Sequence, residues 1–139
     1  MRQLTLLKTL CLAVFCSFFL VACDWGASEE TIAKNYLTAI AKGDMDKAIR
    51  MIYMPPEIAK NPDEQGKYKE NLFTMFDSMK RNFFDANGGI QSIEFPDKTY
   101  AEDKRQVNLR YVITFGNGSS RNGSINLVLE NKTWRVRAR

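Results

Sequence analysis

The chain has 139 residues, 45% of them hydrophobic and 12% aromatic, with 20 Lys+Arg against 16 Asp+Glu and no histidine at all. That length supplies one domain with a real core, and the missing histidine removes the commonest general base near neutral pH and the commonest metal ligand. A formal net charge of +4 is too small to argue for a nucleic-acid partner.

In chain order the first element is an amino-terminal apolar run. Arg2 and Lys8 are the only charged side chains before Asp24, and Leu10 to Ala22 reads "LCLAVFCSFFLVA". About 13 residues of helix reach roughly 20 Å, short of the roughly 30 Å hydrocarbon core, which suits the h-region of a signal peptide better than a transmembrane anchor. "LVAC", Leu20 to Cys23, resembles the lipobox of bacterial lipoproteins. The resemblance implies a signal peptide over 1–22, cleavage between Ala22 and Cys23, a diacylglyceryl thioether on Cys23 and acylation of the new amino terminus. The alternative is an ordinary secretory signal cut nearby, with Cys23 left as a free thiol.

Cysteine counting favours lipidation: Cys11 and Cys16 lie in the removed segment, so Cys23 is the sole mature cysteine, and a lone exported thiol is awkward. A disulfide, a cysteine-based zinc site and a thiol nucleophile are thereby excluded from the mature chain. Residues 23–27 form a lipidated tether whose reach from Cys23 to Ser28 is at most roughly 18 Å, and Trp25 suits the lipid–water interface. Asp24 resembles the retention signal of enterobacterial lipoproteins, which implies the inner membrane facing the periplasm; the outer membrane or cell surface is the alternative.

Residues 28–139 read as a single α+β domain, helices first and strands after. Ser28 is a helix N-cap, with Glu29 and Glu30 in the first turn and Ile32, Ala33, Tyr36, Leu37, Ile40 and Ala41 on one stripe; Gly43 ends it. Asp44 caps a short second helix carrying Met45, Ala48, Ile49 and Ile52, which Pro55-Pro56 ends. A third helix runs from after Pro62 to about Ala86 on Tyr68, Leu72, Met75, Phe76, Met79 and Phe83, and Asn87, Gly88 and Gly89 permit its left-handed exit.

From Ile90 the apolar period changes to two. Ile93 and Phe95 belong to a short strand that Pro96 interrupts. Val107, Leu109, Tyr111, Ile113 and Phe115 line a long strand, Ile125, Leu127 and Leu129 a third, and Trp134, Val136 and Ala138 a fourth. A two-residue turn at Asn131-Lys132 pairs Leu129 with Trp134 and Leu127 with Val136. The two Asn-Gly pairs, at 117-118 and 122-123, both fail as two-residue turns because each sets apolar against polar residues. A three- or five-residue loop remains; with Phe115 opposite Arg121, Tyr111 meets Ile125 and Leu109 meets Leu127.

In that register Arg110 lies opposite Asn126, which lies opposite Arg137, with Arg135 two residues back, giving a basic row on the outer sheet face. It is a candidate site for an acidic partner, lipid head groups or polyanions, or simply a solvated face. Tyr36, Tyr111 and Trp134 are expected to point into the space between helices and sheet, where aromatic packing is the ordinary role. Asp77 and Asp85 flank the third helix stripe as solvated carboxylates. No P-loop, dinucleotide fingerprint or Gly-Xaa-Ser-Xaa-Gly occurs, and "DANGG" at 85–89 fails as a calcium loop because Pro96 replaces its closing glutamate.

"NYLTAIAKGDMDKAIRMI", Asn35 to Ile52, and "NKTWRVRAR", Asn131 to Arg139, resemble the helix–break–helix opening and the last strand of the nuclear-transport-factor-two-like superfamily. The resemblance implies about three helices packed on a curved, cone-like antiparallel meander of about four strands. It leaves function open, since that fold carries isomerases, dehydratases, transport factors and binding modules. The expected function is a membrane-anchored, non-enzymatic interaction module of the bacterial envelope, held by lipid on Cys23, with a protein partner and no cofactor, metal or nucleic acid. The alternatives are a pocket enzyme or apolar-ligand carrier of the lyase or isomerase kind, and an inhibitor or immunity-like protein using Arg110, Arg135 and Arg137.

Overall fold

The computed structural model of the protein describes residues Ser28 to Ala138. Cys23, Asp24 and Trp25 lie outside the described residues, so the lipobox and tether have no structural account.

Helix α1 spans Glu29–Lys42, with the Ser28 hydroxyl accepting from the Thr31 amide at 3.3 Å and Gly43 in the left-handed region at φ 81°. Helix α2, Met45–Arg50, starts at Asp44, whose carboxylate accepts from the Lys47 amide. All three caps are the ones the sequence predicts. Pro55-Pro56 behaves differently from expectation: Pro56 opens a further four-residue helix, α3, Pro56–Ala59, because proline's fixed φ suits a first helical position and its missing N–H is lost there at no cost. Ile52 has also left its helix. It forms a parallel bridge with Val136, flanked by Val136 N–H to the Met51 carbonyl at 2.8 Å and Tyr53 N–H to the Val136 carbonyl at 2.7 Å.

Helix α4 runs Pro62–Met79 and continues as a wider π segment over Lys80–Phe84 and a tight 3-10 turn over Asp85–Asn87. The predicted helix therefore exists to its predicted length, but its winding changes. A regular helix would bring Phe83 onto the stripe of Leu72 and Phe76. The π segment accommodates an extra residue in its turn, so Phe84 is wholly buried and Phe83 only partly.

Four strands follow in a single antiparallel sheet of order β1-β2-β3-β4: Ile90–Tyr100, Gln106–Phe115, Ser120–Glu130 and Thr133–Val136. Strand β1 is longer than expected and runs through Pro96. It lies at the sheet edge, and its ladder is irregular between Glu94 and Asp97, so the missing proline N–H costs no regular pairing. At its far end Tyr100 Oη donates to Glu29 Oε1 at 2.7 Å and Lys98 Nζ meets Glu30 Oε1 at 3.0 Å, fastening β1 to the start of α1.

The β3–β4 turn is as predicted, with Asn131 and Lys132 both at positive φ and Leu129 opposite Trp134. The β2–β3 register is not. The chain takes the three-residue option, with Gly118 at φ 85° and Phe115 N–H donating to the Ser119 carbonyl. Leu109 therefore meets Ile125 and Tyr111 meets Gly123, two residues from the predicted pairing. A two-residue shift preserves which side chains face inward, so the apolar pattern could not distinguish the two.

The core lies between the helices and the inner sheet face. Phe76, Phe84, Phe115, Leu37, Ile40, Leu109, Ile113 and Leu127 are its largest fully buried side chains. Phe83 stacks edge-on against Phe84 and Phe115 at 5.0 and 5.2 Å. At about 1.5–3 kcal/mol for each large apolar side chain removed from water, this one cluster is the principal stabilising feature.

Candidate functional site

The altered register determines what happens at the mouth of the core. Tyr111 lies directly across from Gly123, and its ring lies against that glycine: a Cβ at position 123 would overlap Tyr111 Oη and Cζ. Beside it, Tyr36 of α1 packs edge-on against Phe76 of α4, with centroids 5.7 Å apart. Burial pushes the Tyr36 phenol far above its usual range, and the nearby Tyr111 and Tyr68 phenols push it the same way. Burial also raises Tyr111 and Tyr68. These phenols stay neutral at physiological pH, able to donate a hydrogen bond rather than to act as bases.

Tyr36 and Tyr111 line an open groove of about 250 Å³ with Met75, Met79, Ile125 and Arg137. That is below the roughly 300–1,000 Å³ usual for pockets that enclose a ligand. The lining contains one cation, Arg137, and no carboxylate. Trp134, expected beside the two tyrosines, is half-buried and does not line the groove. A second, wider depression lies between α2 and α4 around Ile49, Met54 and Phe73, rimmed by charges of both signs.

The three arginines do not form the predicted row. Arg110 sits opposite Ser124, because the β2–β3 register is shifted by two, and Asp97 faces it from β1. Arg135 turns away to donate to the Arg50 carbonyl at 2.6 Å, at the end of α2, where a cation is favourable. Arg137 pairs with β3 as predicted, its N–H donating to the Asn126 carbonyl, and reaches Gln106 Oε1 at 3.5 Å. Asp77 and Asp85 form surface ion pairs with Arg81 and Lys80. Among the described residues no cluster of three His, Cys, Asp or Glu side chains could hold a metal ion, and no helix is long and apolar enough to cross a membrane.

Sequence reasoning missed Met75, Met79 and Gly123 as neighbours of the groove. Met75 and Met79 sit on the apolar stripe and read as core; Gly123 reads as a turn residue inside "RNGS". Only the strand register reveals that Gly123 provides space for a ring.

Helices followed by a four-stranded antiparallel meander, with a core shared between them, are the architecture of the NTF2-like cone. A solved structure from Campylobacter jejuni, provisionally described as an NTF2-like transpeptidase, superimposes with a TM-score of 0.70 at 18% identity, covering 81% of this chain and 100% of its own. The chain therefore has an NTF2-like fold, as the resemblance of its helical and carboxy-terminal segments implies. No protein-family model and no curated protein sequence matches it significantly.

Proposed function

We propose that this protein is a lipid-anchored, non-enzymatic binding module of the bacterial envelope, tethered through Cys23 and gripping its partner with the groove end of the cone. One observation carries the reading: the interior of the cone is filled. Among the described residues Phe76, Phe84 and Phe115 are all 0% exposed, and Tyr36 is stacked on Phe76, so the space beside them is an open groove and not an enclosing cavity. Such a surface can hold a protruding side chain or segment of a larger partner; it does not surround a small substrate and exclude water. Asp24 favours the inner membrane, facing the periplasm.

Crosslinking and affinity capture of the lipidated protein from its own envelope tests the reading. A specific protein partner is expected, and Cys23→Ala is expected to move the protein to the soluble fraction, because two or three acyl chains at about 0.8 kcal/mol per buried CH₂ hold a protein that one weak contact cannot. A Cys23→Ala protein that stays membrane-bound would refute the anchor; capture of no partner would refute the module.

The second reading, a carrier or enzyme for a small apolar ligand, is favoured by the two neutral phenols at the groove and by the name of the Campylobacter neighbour. Transpeptidation needs an activated nucleophile. Ser78 accepts from the Asn82 side chain and Ser119 bonds Asn117, so neither is paired with a base. A small molecule co-purifying with the protein would favour this second reading. The inhibitor reading loses support with the dispersal of Arg110, Arg135 and Arg137.

A further inference from the structure

Strand β3 is 11 residues long and β4 only four, and the mismatch leaves part of β3 without a neighbour. Arg137 N–H donates to the Asn126 carbonyl, so the backbone groups of even-numbered β3 residues point away from β2. By strand alternation, those of Asn122 and Ser120 point the same way. The intervening odd-numbered residues hold the strand to β2, with Ile113 opposite Arg121, Tyr111 opposite Gly123 and Leu109 opposite Ile125. Among the described residues no strand pairs with the outward edge of Ser120–Ser124. Five residues at about 3.4 Å give an edge of roughly 17 Å.

This edge adjoins the groove, whose lining includes Ser124, Ile125 and Asn126 of β3 and Arg137 of β4. The other sheet edge, β1, is defended by Pro96, an irregular ladder and the Lys98 cluster, the usual means of preventing unwanted pairing. The Ser120–Ser124 edge carries neither a proline nor a bulge. Its one charged residue, Arg121, lies over the Phe83 ring at 6.0 Å.

We infer that the free edge of β3 and the Tyr36–Tyr111 groove form one site, which takes an extended acidic peptide segment of a partner protein as an added strand. The backbone of the peptide bonds Asn122 and Ser120. Every second side chain enters the groove against Tyr36, Met75, Met79 and Tyr111, where flexible methionines tolerate varied apolar shapes, and the intervening ones lie on the outer face of the sheet. Charge selects the occupant: Arg137 lines the groove, Arg121 is the one charged side chain of the edge segment, and no carboxylate lines the groove. The same charges disfavour a second copy of this chain, whose edge would bring arginines against arginines. The inference rests on the binding-module reading and specifies the segment that is bound.

The test uses the full lipidated chain in detergent micelles and an end-capped eight-residue peptide alternating valine and glutamate, with a block-ordered peptide of the same composition as control. Expected are saturable binding of the alternating peptide alone, slowed amide exchange at Asn122, and about a tenfold loss of affinity in Asn122→Pro, which removes an outward donor and spares the β2 ladder. Exchange in wild type needs no variant, so the test survives if the proline variant fails to fold. Binding that leaves Asn122 exchange unchanged overturns the inference, as does equal binding of the control. Concentration-dependent protection of Asn122 without peptide overturns it in favour of self-pairing. A partner captured from the envelope equally well by wild type and a folded Asn122→Pro sinks this inference alone; capture of none sinks the reading beneath it.

Discussion

Gly123 is a residue whose value lies in what it lacks. Tyr111 lies across it, so Gly123→Ala forces the ring or the strand to move, and an overpacking cost of about 1–3 kcal/mol is expected in urea denaturation. Steric conflict predicts more than destabilisation: in the Tyr111→Ala background the same substitution should cost far less, a coupling of more than about 1 kcal/mol in a double-mutant cycle. Additive effects would show that the contact is unimportant. Tyr36 is a different kind of test, because its folded-state pKa is raised by burial and then by neighbouring phenols. Below about pH 10 both folded and unfolded chains hold the proton, and its contribution is complete. Above that, the unfolded chain ionises first and binds fewer protons, so stability falls as pH rises. Tyr36→Phe should flatten the decline of urea midpoints above about pH 10, with Tyr111, Tyr68, Tyr100 and Lys98, which are also shifted upward, contributing to what slope remains; an unchanged slope would contradict the burial of this phenol. None of this is legible from "RNGS" or "NYL" alone. Tyr36 reads correctly as inward-facing from its place on the α1 stripe, whereas the role of Gly123 depends on a cross-strand partner.

At the scale of elements, the features that succeed from sequence are those with a local physical cause. Ser28, Gly43 and Asp44 terminate or start helices through their own side chains or lack of one, and Asn131-Lys132 is a local two-residue turn with both residues at positive φ. The features that fail depend on distant contacts. Ile52 leaves its helix to meet Val136, the α4 continuation widens to bury Phe84, and β2 and β3 choose between two registers of equal parity. The basic row of Arg110, Arg135 and Arg137 fails because Arg110 pairs with Ser124 instead of Asn126. The Asn131-Lys132 turn offers a quantitative check. Lys132 sits at φ 66°, which a side chain disfavours and glycine does not. Lys132→Gly completes the Asn-Gly pair preferred in two-residue hairpins and should raise stability by about 0.5–1 kcal/mol, visible as a melting temperature a few degrees higher. A lower melting temperature would mean that the lysine side chain contributes something that the backbone geometry does not show.

For the whole molecule, the parallel bridge between Ile52 and Val136 ties the helical half to the last strand. Without it, the α2–α3 connection would hang from the helices alone; with it, Met51 and Tyr53 are hydrogen-bonded on both sides of Val136 and the shortest strand is enclosed between β3 and the helix connection. The fully buried cluster likewise draws Phe76 and Phe84 from the helical half and Phe115, Leu109 and Leu127 from the sheet, so neither half retains a core when the other opens. Unfolding should therefore be a single transition, with far-UV circular dichroism and a tertiary probe coincident in urea. The amides of Tyr53 and Val136 should exchange only through global opening, at the same free energy as core amides of β2, although both lie at the margin of the sheet. Phe76→Ala, which removes a ring shared between Tyr36 and the core, should cost about 3–5 kcal/mol and lower the exchange free energies of Tyr53, Val136 and the β2 core amides together. If Tyr53 and Val136 instead exchange faster than β2 and ignore Phe76→Ala, the bridge is a local clasp. The groove beside it, lined by Val136 and Arg137 as well as Tyr36, would then sit on a wall free to move independently of the core.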